Sequence, residues 1–142
     1  MDRKPASILI VDDDEVVIMG LQRTLKKMKF DNPSYTANDG IEALALLRGS
    51  AGNAPLQAPC LILLDLNMPR MNGHEFLEEI RNDPALRQSI IFVLTTSNSR
   101  DDKHRAYDKN VAGYIVKPIG RGTFGDTLSL LEKYQSVVDL PC

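Results

Sequence analysis

Apolar residues fall into two alternating kinds of segment along this chain. Five short runs are apolar at consecutive positions, a pattern typical of strands buried on both faces of a sheet. The longer segments between them carry apolar residues at steps of three and four, which predicts amphipathic helices packed against that sheet. The predicted strands are Ser7–Val11, Ser34–Ala37, Leu61–Leu64, Ile90–Leu94 and Tyr114–Val116. The predicted helical faces are Val17, Leu21, Leu25 and Met28; Ile41, Leu44 and Leu47; Phe76, Leu77 and Ile80; and Phe124, Leu128 and Leu131 with Gln135–Val138.

The alternation of strands and helices predicts an α/β fold. Asp102–Lys109 is mostly charged and is predicted as the remaining helix, which completes five strand–helix pairs. Such alternation implies a parallel sheet with helices on both faces, and right-handed crossovers leave few topologies. The doubly wound, flavodoxin-like (βα)5 sheet with strand order 2-1-3-4-5 fits this length best. Gly49–Pro59 is predicted as one long loop, and residues 1–142 are expected to form a single domain without an effector domain.

Composition excludes several classes of protein. The chain has 142 residues, is 43% hydrophobic and 25% charged, and carries 17 basic against 19 acidic residues, for a net charge of −2. This balance predicts no general attraction to nucleic acid or to an anionic membrane. No apolar run approaches the length of a membrane span, and the N-terminus lacks the apolar core of a signal peptide. We therefore expect a cytoplasmic protein whose two cysteines, Cys60 and Cys142, are reduced.

Chemically active side chains follow the predicted strands. Ligands of open α/β sheets bind beyond the carboxyl ends of the strands, so the residues at those ends are the candidates for a site. The acidic segment Asp12–Glu15 follows the first strand, and Asp65, with Asn67 two residues on, follows the third. Thr95 follows the fourth strand and Lys117 the fifth. One edge of the sheet is therefore expected to gather carboxylates, a hydroxyl and an ammonium group.

The clustered carboxylates predict a hard cation. Asp12 and Asp13 beside Asp65 would repel one another by about 4 kcal/mol per pair at 4 Å and an effective dielectric near 20. Because the donors are all oxygens, Mg²⁺ suits the site. A carboxylate can itself be the nucleophile in phosphoryl transfer, and Lys117 and Thr95 could hold the phosphoryl oxygens. The residues thus predict a carboxylate that accepts a phosphoryl group.

Four segments together resemble the receiver domain of two-component response regulators. They occur in the family's order and extend over about residues 6–131. The resemblance implies a signalling protein that is phosphorylated and dephosphorylates itself, and not an enzyme acting on an external substrate. The segments are Ile8–Asp14 (ILIVDDD), Leu63–Gly73 (LLDLNMPRMNG), Val93–Ser97 (VLTTS) and Gly113–Pro118 (GYIVKP).

The resemblance assigns a role to each residue of the predicted site. It implies that Asp65 is the phosphorylated residue and that a histidine kinase is the phosphoryl donor. It implies Mg²⁺ bound by the side chains of Asp13 and Asp65 and by the backbone carbonyl of Asn67, with Asp12 acting through metal-bound water. Lys117 would pair with Asp65 and then with the phosphoryl group.

Signal output is expected at a surface beside the site. The resemblance implies that Thr95 moves toward the phosphoryl group and that Tyr114 turns inward behind it. These movements would change the face formed by the fourth helix, fifth strand and fifth helix, which would contact a downstream protein or phosphotransfer partner, or form a homodimer. Packing of Val137 and Val138 onto the sheet is the alternative reading of that face. The apolar strip expected there is Tyr107, Tyr134, Val137, Val138 and Leu140.

Further features resemble one subfamily. The Gly49–Pro59 insert, Asn82–Arg87 and the end of the last helix are similar to stand-alone regulators paired with bacterial and cyanobacterial phytochromes. The kinase would then be a bacteriophytochrome. Gly120–Gly125 departs from the family because its three glycines loosen the start of the last helix.

Two other classes of function compete with a signalling switch. A magnesium phosphatase using an aspartyl phosphate needs a second acid near the nucleophile, and Asn67 stands two residues after Asp65. A flavodoxin-like electron carrier needs a phosphate-binding loop after the first strand, where Asp12–Glu15 would repel a phosphate. Asp14 is predicted as a helix cap, and His74 and His104 as surface residues.

Overall fold

The described residues form ten alternating strands and helices. A computed structural model describes residues 6–49, 55–56, 60–118 and 124–141. The strands are β1 (Ser7–Val11), β2 (Ser34–Ala37), β3 (Cys60–Leu64), β4 (Ile90–Thr95) and β5 (Gly113–Val116). The helices are α1 (Glu15–Lys27), α2 (Gly40–Arg48), α3 (Gly73–Asn82), α4 (Arg100–Asp108) and α5 (Gly125–Val137).

The five strands form one parallel sheet in the order β2-β1-β3-β4-β5, which confirms the predicted topology. Its register aligns the ends of the central strands, since Val11 pairs with Leu64 and Leu64 pairs with Val93. Thr95, at the end of β4, pairs with Val116 of β5. The residues that follow these strands therefore emerge at one edge of the sheet.

The core has two layers, one on each face of the sheet. Alternate residues of β1 point to opposite layers, with Leu9 in one and Ile8 in the other, as a central parallel strand requires. Helices α2, α3 and α4 cover the first layer, and α1 and α5 cover the second. The predicted face of α3 is confirmed, because Phe76, Leu77 and Ile80 are fully buried.

The two edge strands correct the prediction that every strand is buried on both faces. Ser34 and Tyr35 of β2 are exposed, and so is Val116 of β5. Within the described segments, each edge strand has a neighbouring strand on one side only, so part of its surface faces solvent. Ile41 was also assigned wrongly to the core face of α2, because it is exposed while Ala43 is buried.

The last two helices differ slightly from their predicted bounds. Helix α4 begins two residues earlier than predicted, because the Ser99 hydroxyl caps it by accepting a hydrogen bond from the Asp102 amide. Helix α5 begins at Gly125 without a side-chain cap at Phe124. The segments 119–123, 50–54 and 57–59 lie outside the described residues, and with them most of the Gly120–Gly125 departure and of the predicted Gly49–Pro59 loop.

Candidate functional site

The predicted site residues come together at the carboxyl edge of the sheet. Three of them lie directly after the last residue of a strand: Asp12 after β1, Asp65 after β3 and Lys117 after β5. Thr95 is itself the last residue of β4. All four are buried. The sheet brings them together because parallel strands end on the same side, although 105 positions separate Asp12 from Lys117 in the chain.

Lys117 is held mainly by Asp12. Its Nζ lies 2.7 Å from Asp12 Oδ2 and 3.7 Å from Asp65 Oδ2. The resemblance implied pairing with Asp65, so the closer partner here is a different carboxylate. Burial raises the pKa of Asp12, although the hydrogen bonds from Lys117 and from the Asp14 amide act in the opposite direction.

Asp12, Asp13 and Asp65 form an acidic cluster. One carboxylate oxygen from each lies within 4.8 Å of the other two. Asp12 and Asp65 are buried, whereas Asp13 is exposed at the rim of the cluster. With the one ammonium group of Lys117, this group of side chains carries a formal charge of −2, which favours binding of a divalent cation.

Asp65 has one oxygen without a partner. Among the described residues, Asp65 Oδ1 is the one buried side-chain nitrogen or oxygen that makes no hydrogen bond. A buried carboxylate oxygen with uncommitted lone pairs is costly unless a cation or donor meets it. Because all the side-chain donors of the cluster are carboxylate oxygens, they fit a hard cation such as Mg²⁺ and would not select a soft metal.

Asp14 does not belong to this cluster, because its side chain caps α1. The Asp14 side chain accepts a hydrogen bond from the Val16 amide at 2.9 Å and so caps α1, as predicted. Asp12 Oδ1 in turn accepts from the Asp14 amide at 2.9 Å. Asp14 thus caps a helix, whereas Asp12 and Asp13 belong to the candidate metal site.

The loop after β3 carries Asn67 and is held closely against its surroundings. Asn67 is exposed, and the loop enters α3 at Gly73, whose amide donates to the carbonyl of Leu66 at 3.0 Å. A Cβ at Gly73 would lie 2.6 Å from the carbonyl oxygen of Asp65, so only glycine fits. This close approach fixes the backbone beside the candidate phosphoacceptor.

The same loop is tied to the loop before α2. Arg70, which has a positive φ of 63°, contacts Asp39 Oδ2 at 2.7 Å, and the Gly40 amide donates to the carbonyl of Met71. Asp39 is buried and also caps α2. Burial would raise the pKa of Asp39, but the hydrogen bonds from the Glu42 amide and from Arg70 outweigh it and lower the pKa.

Both predicted switch residues contact Ser97. The Ser97 amide donates to Thr95 Oγ1 at 3.3 Å, and the Tyr114 hydroxyl donates to the Ser97 carbonyl at 2.9 Å. Thr95 is fully buried, while Tyr114 is half-buried against the core layer under α2, α3 and α4. Burial raises the pKa of Tyr114.

A neighbouring group was missed by sequence reasoning. His74 is predicted from the sequence as a surface residue. Its side chain is only 13% exposed, and its Nε2 lies 2.9 Å from Asp102 Oδ1. The Ser97 hydroxyl donates to the other oxygen of Asp102 at 2.6 Å. The three residues lie on different segments, so no local spacing could reveal them.

The predicted apolar strip is only partly exposed. Tyr107, Val137 and Val138 are exposed, so the alternative that the two valines pack onto the sheet is wrong. Tyr134 and Leu140 pack against the core, Tyr134 in an edge-to-face contact with Phe92, so they do not belong to a surface strip. Among the described residues, no helix has the length and apolar character needed to span a membrane.

Comparison with known proteins identifies the family to which this chain belongs. The family described as "Response regulator receiver domain" matches residues 8–129. Response regulator Rcp1 of Synechocystis is 38% identical over 115 residues, covering 80% of this chain and 77% of Rcp1. "Probable methanogenesis regulatory protein FilR2" of Methanothrix harundinacea is 35% identical over 130 residues, covering 92% of this chain and 83% of FilR2.

Solved structures agree with these relatives. The phosphorylated cyanobacterial phytochrome response regulator RcpA superposes with a TM-score of 0.87 at 34% identity, covering 98% of this chain and 100% of that one. A Mn²⁺-bound form of Rcp1 superposes with a TM-score of 0.79 at 31% identity, covering 97% and 100%. The four sequence motifs, the sheet and these matches agree, and the chain belongs to the response regulator receiver domain family.

Proposed function

We propose that this receiver domain accepts a phosphoryl group from a histidine kinase on Asp65, in a reaction that depends on Mg²⁺. The observation that carries this proposal is the buried Asp65 Oδ1, which has no hydrogen-bond partner within the described part of the chain and lies in an acidic cluster beside Lys117. A carboxylate in this setting is costly to keep in a merely structural role, and its placement suits a nucleophile supported by cations.

The proposed step forms one bond and breaks one. A carboxylate oxygen of Asp65 attacks the phosphorus of a phosphohistidine, the P–N bond breaks, and the electron pair leaves with the imidazole nitrogen, which takes up a proton. Lys117 lies within 4 Å of both Asp12 and Asp65, so a small movement of its ammonium group brings it to a phosphoryl oxygen. The hydroxyl of Thr95 lies at the same edge of the sheet and would also hold a phosphoryl oxygen.

The metal would be held by oxygen atoms. Receiver domains bind Mg²⁺ at an acidic pocket, and the side chains of Asp13 and Asp65, the backbone carbonyl of Asn67 and, through water, Asp12 would hold it here. When bound, the ion supplies positive charge that neutralises the phosphoryl oxygens. The Mn²⁺-bound form of the relative Rcp1 supports this assignment.

Output would follow from rearrangement near Ser97. Thr95 and Tyr114 both contact Ser97, so a movement of either side chain on phosphorylation would change the loop after β4. The expected result is a change of the α4-β5-α5 face, which a downstream protein or phosphotransfer partner would recognise. A receiver that works in this way is a signalling protein whose only reactions are its own phosphorylation and autodephosphorylation.

The kinase would be of the phytochrome class. The support is similarity to RcpA, which is a cyanobacterial phytochrome response regulator, and to Rcp1. Measuring phosphoryl transfer from a panel of purified histidine kinases tests this, with rapid transfer from a phytochrome kinase as the expected result. Transfer only from kinases of other classes would contradict the phytochrome assignment.

A homodimer through the α4-β5-α5 face is a second proposal. The observation that favours it is the exposure of Tyr107 on α4, Val116 on the edge strand β5, and Leu130, Val137 and Val138 on or beside α5. Exposed apolar side chains beside an unpaired strand edge are typical of an interaction surface.

Phosphorylation of Asp65 is tested by labelling with acetyl phosphate and Mg²⁺. We expect the wild type to gain an acid-labile label, as an acyl phosphate requires, and Asp65→Asn to gain none. Asp14→Asn is the matched control, because the same chemical change leaves an equally good helix cap outside the cluster. Equal labelling of Asp65→Asn and the wild type would overturn the assignment.

A further inference from the structure

The loop after β3, residues 65–72, would supply Asp65 and Asn67 to the metal site of the proposed function. Its two ends are held together, because the Gly73 amide donates to the carbonyl of Leu66 at 3.0 Å. A Cβ at Gly73 would lie 2.6 Å from the carbonyl oxygen of Asp65, so the loop closes tightly behind that residue. These contacts fix only the ends of the loop, and its middle depends on other contacts.

The middle of the loop is joined to the start of α2. Arg70 Nε donates to Asp39 Oδ2 at 2.7 Å, and Arg70 Nη2 lies 2.7 Å from the same oxygen. The Gly40 amide donates to the carbonyl of Met71 at 3.2 Å, and a Cβ at Gly40 would lie 2.7 Å from Met71 Cγ. An ion pair and a backbone hydrogen bond at adjacent positions therefore join the loop to α2.

Arg70 has a backbone conformation that its surroundings must compensate. Its φ of 63° lies in the left-handed region, which is unfavourable for a residue with a Cβ. Such conformations persist where neighbouring contacts determine them. The Arg70 side chain is 60% exposed, so packing contributes little, and the contact with the carboxylate of Asp39, only 7% exposed, opposes this cost.

The segment before α2 contacts both sides of the acidic cluster. Asp39 Oδ1 accepts a hydrogen bond from the Glu42 amide at 2.9 Å, so one oxygen caps α2 while the other holds Arg70. Two residues before Asp39, the carbonyl of Ala37 accepts a hydrogen bond from the Asp12 amide at 3.0 Å. The segment is thus joined to one end of the cluster through the backbone and to the loop after β3 through Arg70.

We infer that Asp39 and Arg70 are positioning residues that hold the loop after β3 in an arrangement that favours binding of Mg²⁺ by the acidic cluster. This inference rests on the proposed function, in which that cluster holds the ion. One carboxylate oxygen each from Asp12, Asp13 and Asp65 already lies within 4.8 Å of the others, so contacts that maintain this arrangement lower the cost of binding a cation. Neither positioning residue touches the ion in this account.

The test is the Mg²⁺ affinity of the metal-free protein, measured from amide NMR shifts during a titration with MgCl₂. We expect Arg70→Ala to raise the dissociation constant about two- to tenfold, the range expected for one net hydrogen bond. Removal of a positive charge near an acidic cluster would by Coulomb attraction alone lower that constant, so a rise reports the position of the loop. Arg70→Lys keeps the charge and can place one donor on Asp39, so its constant should lie between those of Arg70→Ala and the wild type.

Arg48→Ala is the matched control. Arg48 also extends from α2 toward α3, with Nη2 3.3 Å from Glu79 Oε2 and Nε 3.1 Å from Asp83 Oδ2, but it lies at the opposite end of α2. This variant loses the same charge and a similar link between elements, and it should bind Mg²⁺ like the wild type. An equal rise of the dissociation constant in Arg48→Ala and Arg70→Ala would overturn the inference.

A second control separates the pair from each of its members. In an Asp39→Asn background, Arg70→Ala should raise the dissociation constant less than it does in the wild type, because Arg70 acts through the carboxylate of Asp39. The free energy of unfolding in urea with a chelator is measured for the same variants. A destabilised Arg70→Ala with wild-type Mg²⁺ affinity would show that the pair only joins the loop to α2, which would overturn the inference.

The outcomes also separate this inference from the proposed function. Absence of saturable Mg²⁺ binding by the wild type would overturn the proposed metal dependence and the inference with it. Binding by the wild type with an unchanged or lowered dissociation constant in Arg70→Ala would overturn the inference alone. Weaker binding by Arg70→Ala, partial recovery in Arg70→Lys and unchanged binding by Arg48→Ala would support both.

Discussion

The two oxygens of Asp65 lie in different surroundings. Oδ2 is 3.7 Å from the ammonium group of Lys117, and Oδ1 is buried with no hydrogen-bond partner among the residues that the structure describes. Lys117 is closer to Asp12, so its charge is shared between two carboxylates. Asp65 is therefore a residue whose charge disfavours the metal-free fold and favours the binding of cations.

Neutralising Asp65 should stabilise the protein without metal. We expect Asp65→Asn to raise the free energy of unfolding by about 1–3 kcal/mol in the presence of a chelator. This is below the roughly 4 kcal/mol repulsion of two unit charges 4 Å apart at an effective dielectric near 20, because Lys117 already offsets part of it. Urea denaturation measures the change, and Mg²⁺ should stabilise the wild type more than the variant.

Asp14→Asn serves as the comparison, since Asp14 lies outside the cluster and caps α1. It should change the free energy of unfolding by only a few tenths of a kcal/mol, because aspartate and asparagine cap helices about equally. A metal-free Asp65→Asn protein less stable than the wild type would contradict the view that Asp65 carries unfavourable charge.

At the scale of elements, the site depends on how neighbouring loops are held together. The loop after β3 carries Asn67 and is tied to the start of α2 by Arg70 and Asp39. The loop after β4 is tied to α4 and α3, because the Ser97 hydroxyl donates to Asp102 and Asp102 in turn contacts His74. Two of the loops that surround Asp65 are thus held by charged residues outside the acidic cluster.

The Asp39–Arg70 pair predicts a particular dependence of stability on pH. The folded-state pKa of Asp39 lies below its ordinary value of 3.8, so its stabilisation is complete above that value and is lost as the pH falls through the lower folded-state pKa. Asp39→Asn should therefore lower the free energy of unfolding at neutral pH by about 1–2 kcal/mol, as expected for a hydrogen bond to a charged group.

Urea denaturation between pH 7 and pH 3 measures this effect. The difference between the wild type and Asp39→Asn should stay constant down to about pH 4 and shrink below it. The exposed Asp31→Asn is the control and should track the wild type throughout. A difference that grows on acidification would show that Asp39 is not stabilised as a carboxylate.

Strand ends could be predicted from the sequence, but contacts between distant side chains could not. The parallel topology follows from alternating patterns, and it alone brings Asp12, Asp65 and Lys117 to one edge. Arg81 shows the opposite case: its half-buried guanidinium donates to the carbonyls of four residues on the turns after α3 and α4. Because these acceptors are backbone atoms, no pattern of residue types in the sequence predicts the contacts of Arg81.

His74 shows a second limit of the sequence. Its partner Asp102 lies 28 positions away on a different helix, so neither residue predicts the other. The one local signal was Ser99 three residues before Asp102, which is the pattern of a helix cap and identifies the start of α4. That signal could place Asp102 in a first turn, but it carried no information about α3.

At the scale of the whole molecule, the α4-β5-α5 face is the surface expected to report the state of Asp65. It lies at the β5 edge of the sheet, where the order β2-β1-β3-β4-β5 leaves one side of the strand without a neighbour. The layer under α4 contacts Tyr114, and α5 covers the other layer. A change at Tyr114 therefore occurs beside the exposed apolar residues of this face.

Val137→Asp tests whether this face forms a dimer. Light scattering should give a larger mass for the wild type with beryllofluoride and Mg²⁺ than for Val137→Asp, because a charge opposes burial of the contact. Val16→Asp is a matched control on α1, since Val16 and Val137 are 77% and 71% exposed. A wild type that stays monomeric with and without the phosphoryl mimic would remove the dimer from this account.

The most direct test of phosphoryl acceptance is a crystal structure with Mg²⁺ and beryllofluoride. We predict beryllofluoride bonded to the carboxylate of Asp65, Mg²⁺ beside the carboxylates of Asp12 and Asp13, and Lys117 at a fluorine atom. Beryllofluoride bound to another residue, or an Asp65 left unmodified at saturating concentrations of both, would contradict the account.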